Sequence, residues 1–243
     1  MKRITCLLLV LISTAAKAND YNASLFGCKS DGVTNNTGSI QYAIDFIANK
    51  GGGTLHFYVG RYLTGSFELK SNVTIELHEG AVILASPNFY DYLNYSGNRA
   101  LIYAKDQSNI RIQGKGVIQG QVSLFTRNRK SLVSKGFIKE NGEQLLPDLI
   151  RIEDSEDVSI EGIVLLDGLG KVQSYARCRN LSLSHQIIKS KAYEKSIGIS
   201  LLSCLNVELR SLYVDTSGKA LLEEGENEIR LKENCVTNDG KKI

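Results

Sequence analysis

The stretch Asp157-Val-Ser-Ile returns as Asn180-Leu-Ser-Leu and again as Asn206-Val-Glu-Leu, each time a polar residue followed by the pattern apolar, polar, apolar. The two steps between these copies are 23 and 26 residues long. Further copies begin at Asn72, Asn109 and Glu228. Fixed periods of this size are typical of solenoid proteins, in which each repeat is one supersecondary unit. The repeat therefore indicates a stack of similar coils.

The repeat unit itself indicates β-strands. Hydrophobicity alternates with a period of two, as in a half-buried strand, and segment 149–166 accommodates three such strands. Long helical patterns do not separate the strands, which argues against an alternating βαβ fold. Coils that cannot bury their apolar faces alone stack into one core. The sequence predicts an all-β fold, a parallel β-helix, with a β-sandwich as the alternative.

The polar residue at the head of each unit fits this stack. Asn and Asp tolerate left-handed turn conformations, so they suit the corner that precedes a strand. Amide side chains at equivalent positions of stacked strands can also bond to one another as a ladder. We therefore expect a ladder of Asn side chains along one edge of the solenoid.

Residues 1–18 have the form of a secretory signal peptide. Lys2 and Arg3 precede the apolar run Leu7–Ile12, and the small-residue exit is Ala16-Lys17-Ala18. Without this segment the formal net charge falls from +3 to zero, with 26 basic and 26 acidic residues. A neutral chain has no basic field for nucleic acid or anionic lipid. Because no apolar run of membrane-spanning length follows, we expect a secreted or periplasmic protein; a retained membrane anchor is the alternative.

The predicted domain organisation is a single β-helix domain over residues 19–243. Its N-terminal cap region spans 19–70, and the coils span 71–243 with an insertion at 121–148. An open end of a solenoid exposes apolar cross-section, so a terminal repeat must be atypical. One helix is expected there, beginning near Thr37 or Ser39 and ending at Gly51-Gly-Gly. Its apolar stripe consists of Ile40, Ala43, Ile44 and Ile47.

The insertion is basic. Its cationic residues are Arg127, Arg129, Lys130, Lys135 and Lys139. A charge run of this kind is typical of a solvated loop, and the alternative is a rim that binds an anionic substrate.

The first half of the chain carries motifs of a known family. The motifs are Phe26-Gly-Cys-Lys-Ser-Asp-Gly-Val-Thr-Asn-Asn-Thr, Gly51-Gly-Gly-Thr, Gly60-Arg-Tyr-Leu-Thr-Gly-Ser, Leu69-Lys-Ser-Asn-Val-Thr-Ile-Glu-Leu, Gly80-Ala-Val-Ile-Leu and Gly114-Lys-Gly-Val-Ile-Gln-Gly-Gln. Together they resemble family 28 glycoside hydrolases, the polygalacturonase group. Over residues 24–120 the resemblance consists of many matching motifs, and over 147–240 it consists of the spacing of the repeat alone. It implies a right-handed parallel β-helix that hydrolyses galacturonan with inversion, using aspartates and neither a metal nor another cofactor. The implied partner is a polysaccharide, pectin or a related one.

The acids that this resemblance implies are not found at the matching positions. An inverting glycosidase needs one protonated carboxyl group and one carboxylate that holds water. The family supplies them from an Asn-Thr-Asp motif and from an Asp-Asp pair one coil later. The first motif matches Lys195-Ser196-Ile197, and the pair matches Gly218 and Lys219. No catalytic residue therefore stands at a family position, and Lys195 and Lys219 are expected to contact substrate instead.

Two other acids are weak catalytic candidates. Asp215 lies three residues before Gly218, and Asp239 lies further along the chain. Surface turn aspartates are the alternative. A register slip of one residue reverses the face that a strand residue occupies, so the assignment depends on the register.

Three functional hypotheses stay open on the sequence. The chain is a pectin-directed member of the polygalacturonase group with impaired or lost hydrolase activity, or a carbohydrate-binding or structural β-helix, or a fragment of a longer hydrolase. Losing one catalytic group costs orders of magnitude in rate, and a fold does not carry function by itself.

Two further expectations concern the C-terminal coils. The apolar residues Leu221, Leu222, Ile229 and Leu231 have no following coil in this chain, which favours self-association through that end. Cys178 and Cys204 each precede a ladder Asn by two residues, so we expect stacked buried thiols, with a disulfide as the alternative. Cys28 and Cys235 are too remote to pair.

Overall fold

The computed structural model describes residues 19–95, 97–139, 146–168 and 170–243. The signal peptide predicted over 1–18 lies outside the described residues. Three sheets of parallel strands form the faces of a solenoid, and successive strands visit them in the same order. The chain is a right-handed parallel β-helix, which confirms the predicted fold class.

Each complete coil contributes one strand to each sheet. Sheet 1 contains β1 (Asp20–Asn22), β2 (Gly53–Phe57), β5 (Val73–Leu77), β9 (Ser108–Gly114), β12 (Glu156–Glu161), β15 (Arg179–Ser184), β18 (Leu205–Arg210) and β21 (Ile229–Glu233). Sheet 2 contains β3 (Gly60–Thr64), β6 (Ala81–Ala85), β10 (Val117–Gln119), β13 (Val164–Leu166), β16 (Ile187–Ser190), β19 (Tyr213–Thr216) and β22 (Val236–Thr237). Sheet 3 contains β4 (Phe67–Glu68), β8 (Asn98–Lys105), β11 (Asp148–Glu153), β14 (Lys171–Ala176), β17 (Ile197–Leu202) and β20 (Leu221–Glu224), with β7 (Asn94–Tyr95) antiparallel to β8. Among the described residues, β1 precedes the first coil, and the last coil contributes only β21 and β22.

The core is built from equivalent positions of successive repeats. In sheet 1, Ile110 lies beside Val158, Val158 beside Leu181, and Leu181 beside Val207. All four side chains are buried, and full burial of such a side chain contributes about 1.5–3 kcal/mol. The period-two alternation of the sequence therefore becomes a continuous apolar column.

The predicted amide ladder is present at the corner before sheet 1. Asn72, Asn109, Asp157, Asn180 and Asn206 all have positive φ angles between 50° and 65°. The amide of Asn109 donates to Asn72 Oδ1 at 3.0 Å, that of Asn180 to Asp157 Oδ1 at 2.8 Å, and that of Asn206 to Asn180 Oδ1 at 2.6 Å. Asn and Asp reach the left-handed region at low cost because their short polar side chains bond locally.

The predicted helix is α1 (Thr37–Asn49), and its four predicted apolar residues are all buried. It packs against β2, β4 and β5. The helix begins at Thr37, as expected, but neither Thr37 nor Ser39 is its N-cap residue; that residue is Asn36, whose side chain makes no capping hydrogen bond. The Oδ1 atom of Asn35 accepts from the Thr37 N–H at 3.0 Å and takes the capping role from outside the helix.

The structure moves two predicted boundaries. The coils begin at Gly53 with β2, β3 and β4, inside the stretch expected to be cap region. The insertion ends before Asp148, which is the first residue of β11. It contains α2 (Val122–Ser134) where a solvated loop was expected, because Val122 and Phe125 bury an apolar contact. The Phe125 ring lies 6.3 Å from that of Phe89, centroid to centroid.

The C-terminal coil is less exposed than the sequence suggests. The four apolar residues expected to be uncovered, Leu221, Leu222, Ile229 and Leu231, are half-buried. The last residues fold back, so that the Ile243 N–H donates to the Cys235 carbonyl at 3.2 Å. Self-association through this end stays a prediction.

The two central cysteines are stacked as expected. Arg179 pairs with Leu205 across β15 and β18, which places Cys178 beside Cys204 one residue earlier. Both are buried free thiols. The prediction of a thiol pair is therefore confirmed.

Candidate functional site

A groove of about 280 Å³ opens where the strands of sheet 3 begin. We call it the cationic groove; it is lined by Asn98, Arg99, Leu146, Asp148, Arg151, Gly170, Lys171, Tyr193, Lys195 and Ile197. Four of these strands start with a lining residue, namely Asn98, Asp148, Lys171 and Ile197. Parallel neighbours lie about 4.8 Å apart, so residues from distant repeats converge at one edge.

Asp148 is the acid of the cationic groove, and it is 7% exposed. Its Oδ2 atom pairs with Arg151 Nη1 at 3.2 Å, and its Oδ1 atom accepts from the Lys171 backbone N–H at 3.1 Å. Burial raises the pKa of Asp148 to about 6, although Arg151 and Lys171 act in the opposite direction. Desolvation disfavours the charged carboxylate more than these partners stabilise it. Asp148 therefore titrates near the pH at which acid–base chemistry operates.

Arg151 lies between two carboxylates. Its Nη1 atom faces Asp148, and Glu153 Oε1 lies 2.6 Å from both Nε and Nη2 on the opposite edge. The hydroxyl of Ser174 lies 3.4 Å from Nη1. The planar guanidinium presents its donors in a fixed fork, so this set of partners holds Arg151 in one orientation.

The other cations of the cationic groove are also positioned by neighbouring coils. Lys171 Nζ donates to Ser200 Oγ at 2.9 Å and lies 3.8 Å from Glu224. The Arg99 guanidinium donates to the Tyr92 carbonyl and lies 4.4 Å from the centroid of the Phe89 ring. With the exposed Lys195, four cationic side chains surround one lining acid. Asp148 and Glu153 pair with Arg151, and Glu224 lies near Lys171, yet the lining residues themselves carry more positive than negative charge. A cleft with an excess of one charge attracts ligands of the opposite sign, so this cleft suits an anionic ligand.

The structure separates the residues that the sequence singled out. Lys195 and Ile197 line the cationic groove. Gly218 and Lys219 line a different pocket of about 410 Å³ near the C-terminus, together with Asp239. Ile197 in β17 and the Gly218-Lys219 segment before β20 lie on adjacent coils, since the Gly198 N–H donates to the Lys219 carbonyl at 3.0 Å. The two coils are therefore neighbours in the stack, as expected.

Neither weak catalytic candidate lies in the cationic groove. Asp215 belongs to β19 in sheet 2, where it forms an ion pair with Lys191 at 2.8 Å. Asp239 pairs with Lys241 at 2.6 Å and accepts from the Thr237 hydroxyl. These two partners lower the pKa of Asp239 to about 2, so it stays ionised and cannot donate a proton at neutral pH.

Sequence reasoning missed Arg99, Asp148, Arg151 and Lys171. Asp148 follows the insertion directly, so no regular repeat step marks it. The signal that could have found Asp148 and Lys171 is the polar residue that opens two successive sheet 3 strands, β11 and β14; Arg99 and Arg151 lie inside their strands and carry no such signal. That signal becomes readable only once the three strands of each coil are separated.

The chain belongs to a known family. Residues 55–240 match glycosyl hydrolases family 28, which is more than half of the sequence. The "Exo-poly-alpha-D-galacturonosidase" of Dickeya chrysanthemi is 35% identical over 128 residues, covering 46% of this chain and 21% of that protein. The "Probable polygalacturonase" of Vitis vinifera is 28% identical over 222 residues, covering 83% of this chain and 44% of that protein. The chain thus spans less than half the length of these two curated relatives.

Solved structures show the same fold. The crystal structure of "a putative glycosyl hydrolase" from Parabacteroides merdae has a TM-score of 0.86 and 43% identity, covering 91% of this chain and 99% of that one. The family 28 exopolygalacturonase of Yersinia enterocolitica has a TM-score of 0.77 and 24% identity, covering 89% of this chain and 49% of that one. Family membership and fold thus agree with the resemblance drawn from the sequence.

Among the described residues, no helix is both long and apolar enough to cross a membrane.

Proposed function

We propose that this chain binds pectin or a related acidic plant polysaccharide, and that its polygalacturonase-type hydrolysis is impaired or lost. The ligand lies in the cationic groove, where uronate carboxylates face the four cations. The observation that carries the proposal is this convergence of Arg99, Arg151, Lys171 and Lys195 on one cleft. The proposed setting is secreted or periplasmic, on the strength of the pattern over residues 1–18.

The loss of hydrolysis is argued from the positions that match the family motifs. Inversion requires two carboxyl groups about 6.5–9.5 Å apart, one protonated and one holding a water molecule. At those positions the chain has Ile197, Gly218 and Lys219. An isoleucine side chain can neither hold water nor transfer a proton, and a lysine repels the positive charge that develops on the sugar ring. We expect binding to be retained, because Lys195 lines the cationic groove and Lys219, in the next coil, adds attraction for an acidic chain that extends beyond it.

The test combines a turnover assay with a binding assay. Purified protein incubated with polygalacturonate between about pH 4 and 8, the range in which carboxyl groups and histidines titrate, should release no reducing ends. The same protein should be retarded in native gels that contain polygalacturonate and should migrate normally in gels that contain neutral galactan. Robust release of reducing ends contradicts the loss of hydrolysis, and unchanged migration in polygalacturonate contradicts binding.

One observation favours a second candidate function, hydrolysis by acids other than those of the family motifs. Asp148 has a pKa of about 6 and lines the cationic groove, which suits a general acid. Glu153, on the opposite edge of the Arg151 guanidinium, would then be the base. Glu153 does not line the cationic groove, and for this reason binding is the preferred proposal. If reducing ends are released, Asp148→Asn and Glu153→Gln should each abolish the release.

A further inference from the structure

A second basic pocket lies beside the cationic groove, on the insertion helix. It has a volume of about 450 Å³ and is lined by Val122, Ser123, Thr126, Arg127, Lys130 and Ala192. Five of these residues belong to α2, and Ala192 belongs to the loop before β17. Arg127 and Lys130 are three residues apart, so they lie on the same face of the helix. We call this pocket the helix pocket.

The cations of the helix pocket are not neutralised by the protein. Within the part of the chain that the structure describes, no ion pair includes Arg127 or Lys130. Both side chains are exposed. The first turn of α2 contains no acidic residue, so the positive end of the helix dipole at Val122 and Ser123 adds to the same field. Arg177 on the solenoid differs, because Asp154 lies 2.5 Å from it in an ion pair.

The helix pocket and the cationic groove share one boundary. Ala192 lines the helix pocket, and the next residue, Tyr193, lines the cationic groove. The insertion contributes to both sites, because α2 forms the helix pocket and Leu146 lines the cationic groove. A linear ligand that leaves one site past residues 192–193 therefore enters the other.

We propose that the helix pocket is a second subsite for the same acidic polysaccharide, in which Arg127 and Lys130 bind a carboxylate of a sugar beyond those in the cationic groove. This inference rests on the proposed function. It assigns a ligand of repeating negative charge, because one monosaccharide cannot occupy both sites. It also gives the insertion a role, which is to extend the polysaccharide-binding surface beyond the cationic groove.

The experiment compares two lengths of galacturonate oligomer, a trisaccharide and a nonasaccharide, by titration calorimetry. The test variant is Arg127→Gln with Lys130→Gln. The matched control is Lys135→Gln with Lys139→Gln, which removes the same charge from the same insertion outside the helix pocket. The test variant should bind the nonasaccharide about fivefold more weakly than the original protein, since two exposed charge contacts are lost. Its affinity for the trisaccharide should not change, and the control should bind both oligomers normally.

The outcomes separate this inference from the proposed function. If the original protein binds neither oligomer, the proposed function fails and the second subsite fails with it. If the original protein binds both oligomers and the test variant matches it, the second subsite alone is overturned. Equal weakening by the test and control variants also overturns it, because the effect is then one of net charge. A sulfated galactan nonasaccharide should bind more weakly; equal or tighter binding overturns the assignment to carboxylates.

Discussion

Two columns of stacked side chains run along the solenoid, and they differ in composition. The column at the corner before sheet 1 repeats Asn or Asp, and each amide bonds to the residue one coil away. The column that opens the strands of sheet 3 reads Asp148, Lys171 and Ile197 in successive coils. Both occupy equivalent sites of a repeating backbone, so the backbone does not dictate the difference.

The difference lies in what each column does for the protein. The Asn ladder satisfies its own hydrogen bonds and stabilises the stack, so any coil can use the same residue type. The sheet 3 column contains a buried acid whose pKa is shifted, a lysine and an apolar residue. Such a mixture contributes little to stacking, and perturbed acids in clefts are typical of functional sites. Uniform columns indicate structure in this fold, and mixed columns indicate sites.

The largest expected effect concerns Asp148, the acid of the column that opens the sheet 3 strands, which we call the mixed column; the Asn ladder is the uniform column. Asp148 has a pKa of about 6 in the folded state, well above the ordinary aspartate value of 3.8. The folded protein therefore binds this proton more tightly than the unfolded chain, and stability falls as the pH rises from about 4 to about 6. Asp148→Asn lacks this titration, so its stability relative to the original protein should rise by about 2 kcal/mol between pH 4 and 7. Denaturant unfolding at intervals of pH measures the change.

Asp154→Asn is the control for that series. Its hydrogen bond from Arg177 lowers the pKa of Asp154, so the original carboxylate stabilises the folded state above its unfolded pKa and loses that contribution as the pH falls. The relative stability of Asp154→Asn should therefore change with the opposite sign. Parallel stability curves for Asp148→Asn and the original protein would contradict the assignment of a shifted acid to the cationic groove.

The next effect tests the uniform column. Asn180 donates to Asp157 at 2.8 Å, accepts from Asn206 at 2.6 Å, and has a φ angle of 55°. Asn180→Ala removes both hydrogen bonds and places an unsuited residue in the left-handed region, so it should cost about 2 kcal/mol. Asn180→Gly loses the hydrogen bonds without the backbone strain and should cost about half as much. Equal losses for the two variants, measured by thermal unfolding, would remove the conformational part of the argument.

The smallest effect on stability belongs to the lysine of the mixed column. Lys171→Gln should change the free energy of unfolding by less than about 0.5 kcal/mol, since the side chain is partly exposed. It should weaken polygalacturonate binding about fivefold. Lys232→Gln, on the exposed face of sheet 1, is the control and should bind normally. Affinity electrophoresis of the three proteins decides whether the mixed column contacts ligand.

The repeat, the amide ladder and α1 could be predicted because each depends on spacing within a short stretch. The apolar stripe from Ile40 to Ile47 follows from helical periodicity alone, and the ladder follows from the turn preference of Asn180 and its counterparts. The first coil was misassigned to the cap because β2, β3 and β4 carry no leading Asn of the repeat. Short sequence patterns therefore predict individual helices and strands well, and they predict less well which strands belong to the same coil.

The cationic groove could not be predicted, because its residues meet only through stacking. Arg99 and Arg151 are 52 positions apart in the sequence and lie on adjacent strands. The same limit explains the choice of Asp215, which is close to Gly218 in sequence and belongs to a different face of the solenoid. Residues that are close in sequence can lie on different faces of the solenoid, because the chain passes from one sheet to the next within a few residues.

The burial of the cysteines has a practical consequence for chemical labelling. All four cysteines in the described part of the chain, Cys28, Cys178, Cys204 and Cys235, are buried, and burial raises the pKa of Cys28 to about 11. Thiols buried in this way are shielded from alkylating reagents. For Cys204 this shielding comes from burial alone, because a hydrogen bond with Cys178 lowers its pKa. A cysteine introduced at the exposed Lys195 would therefore accept a fluorophore selectively within these coils. With little labelling of the native cysteines, the fluorescence of a dye at the opening of the cationic groove can report the binding of a sugar chain.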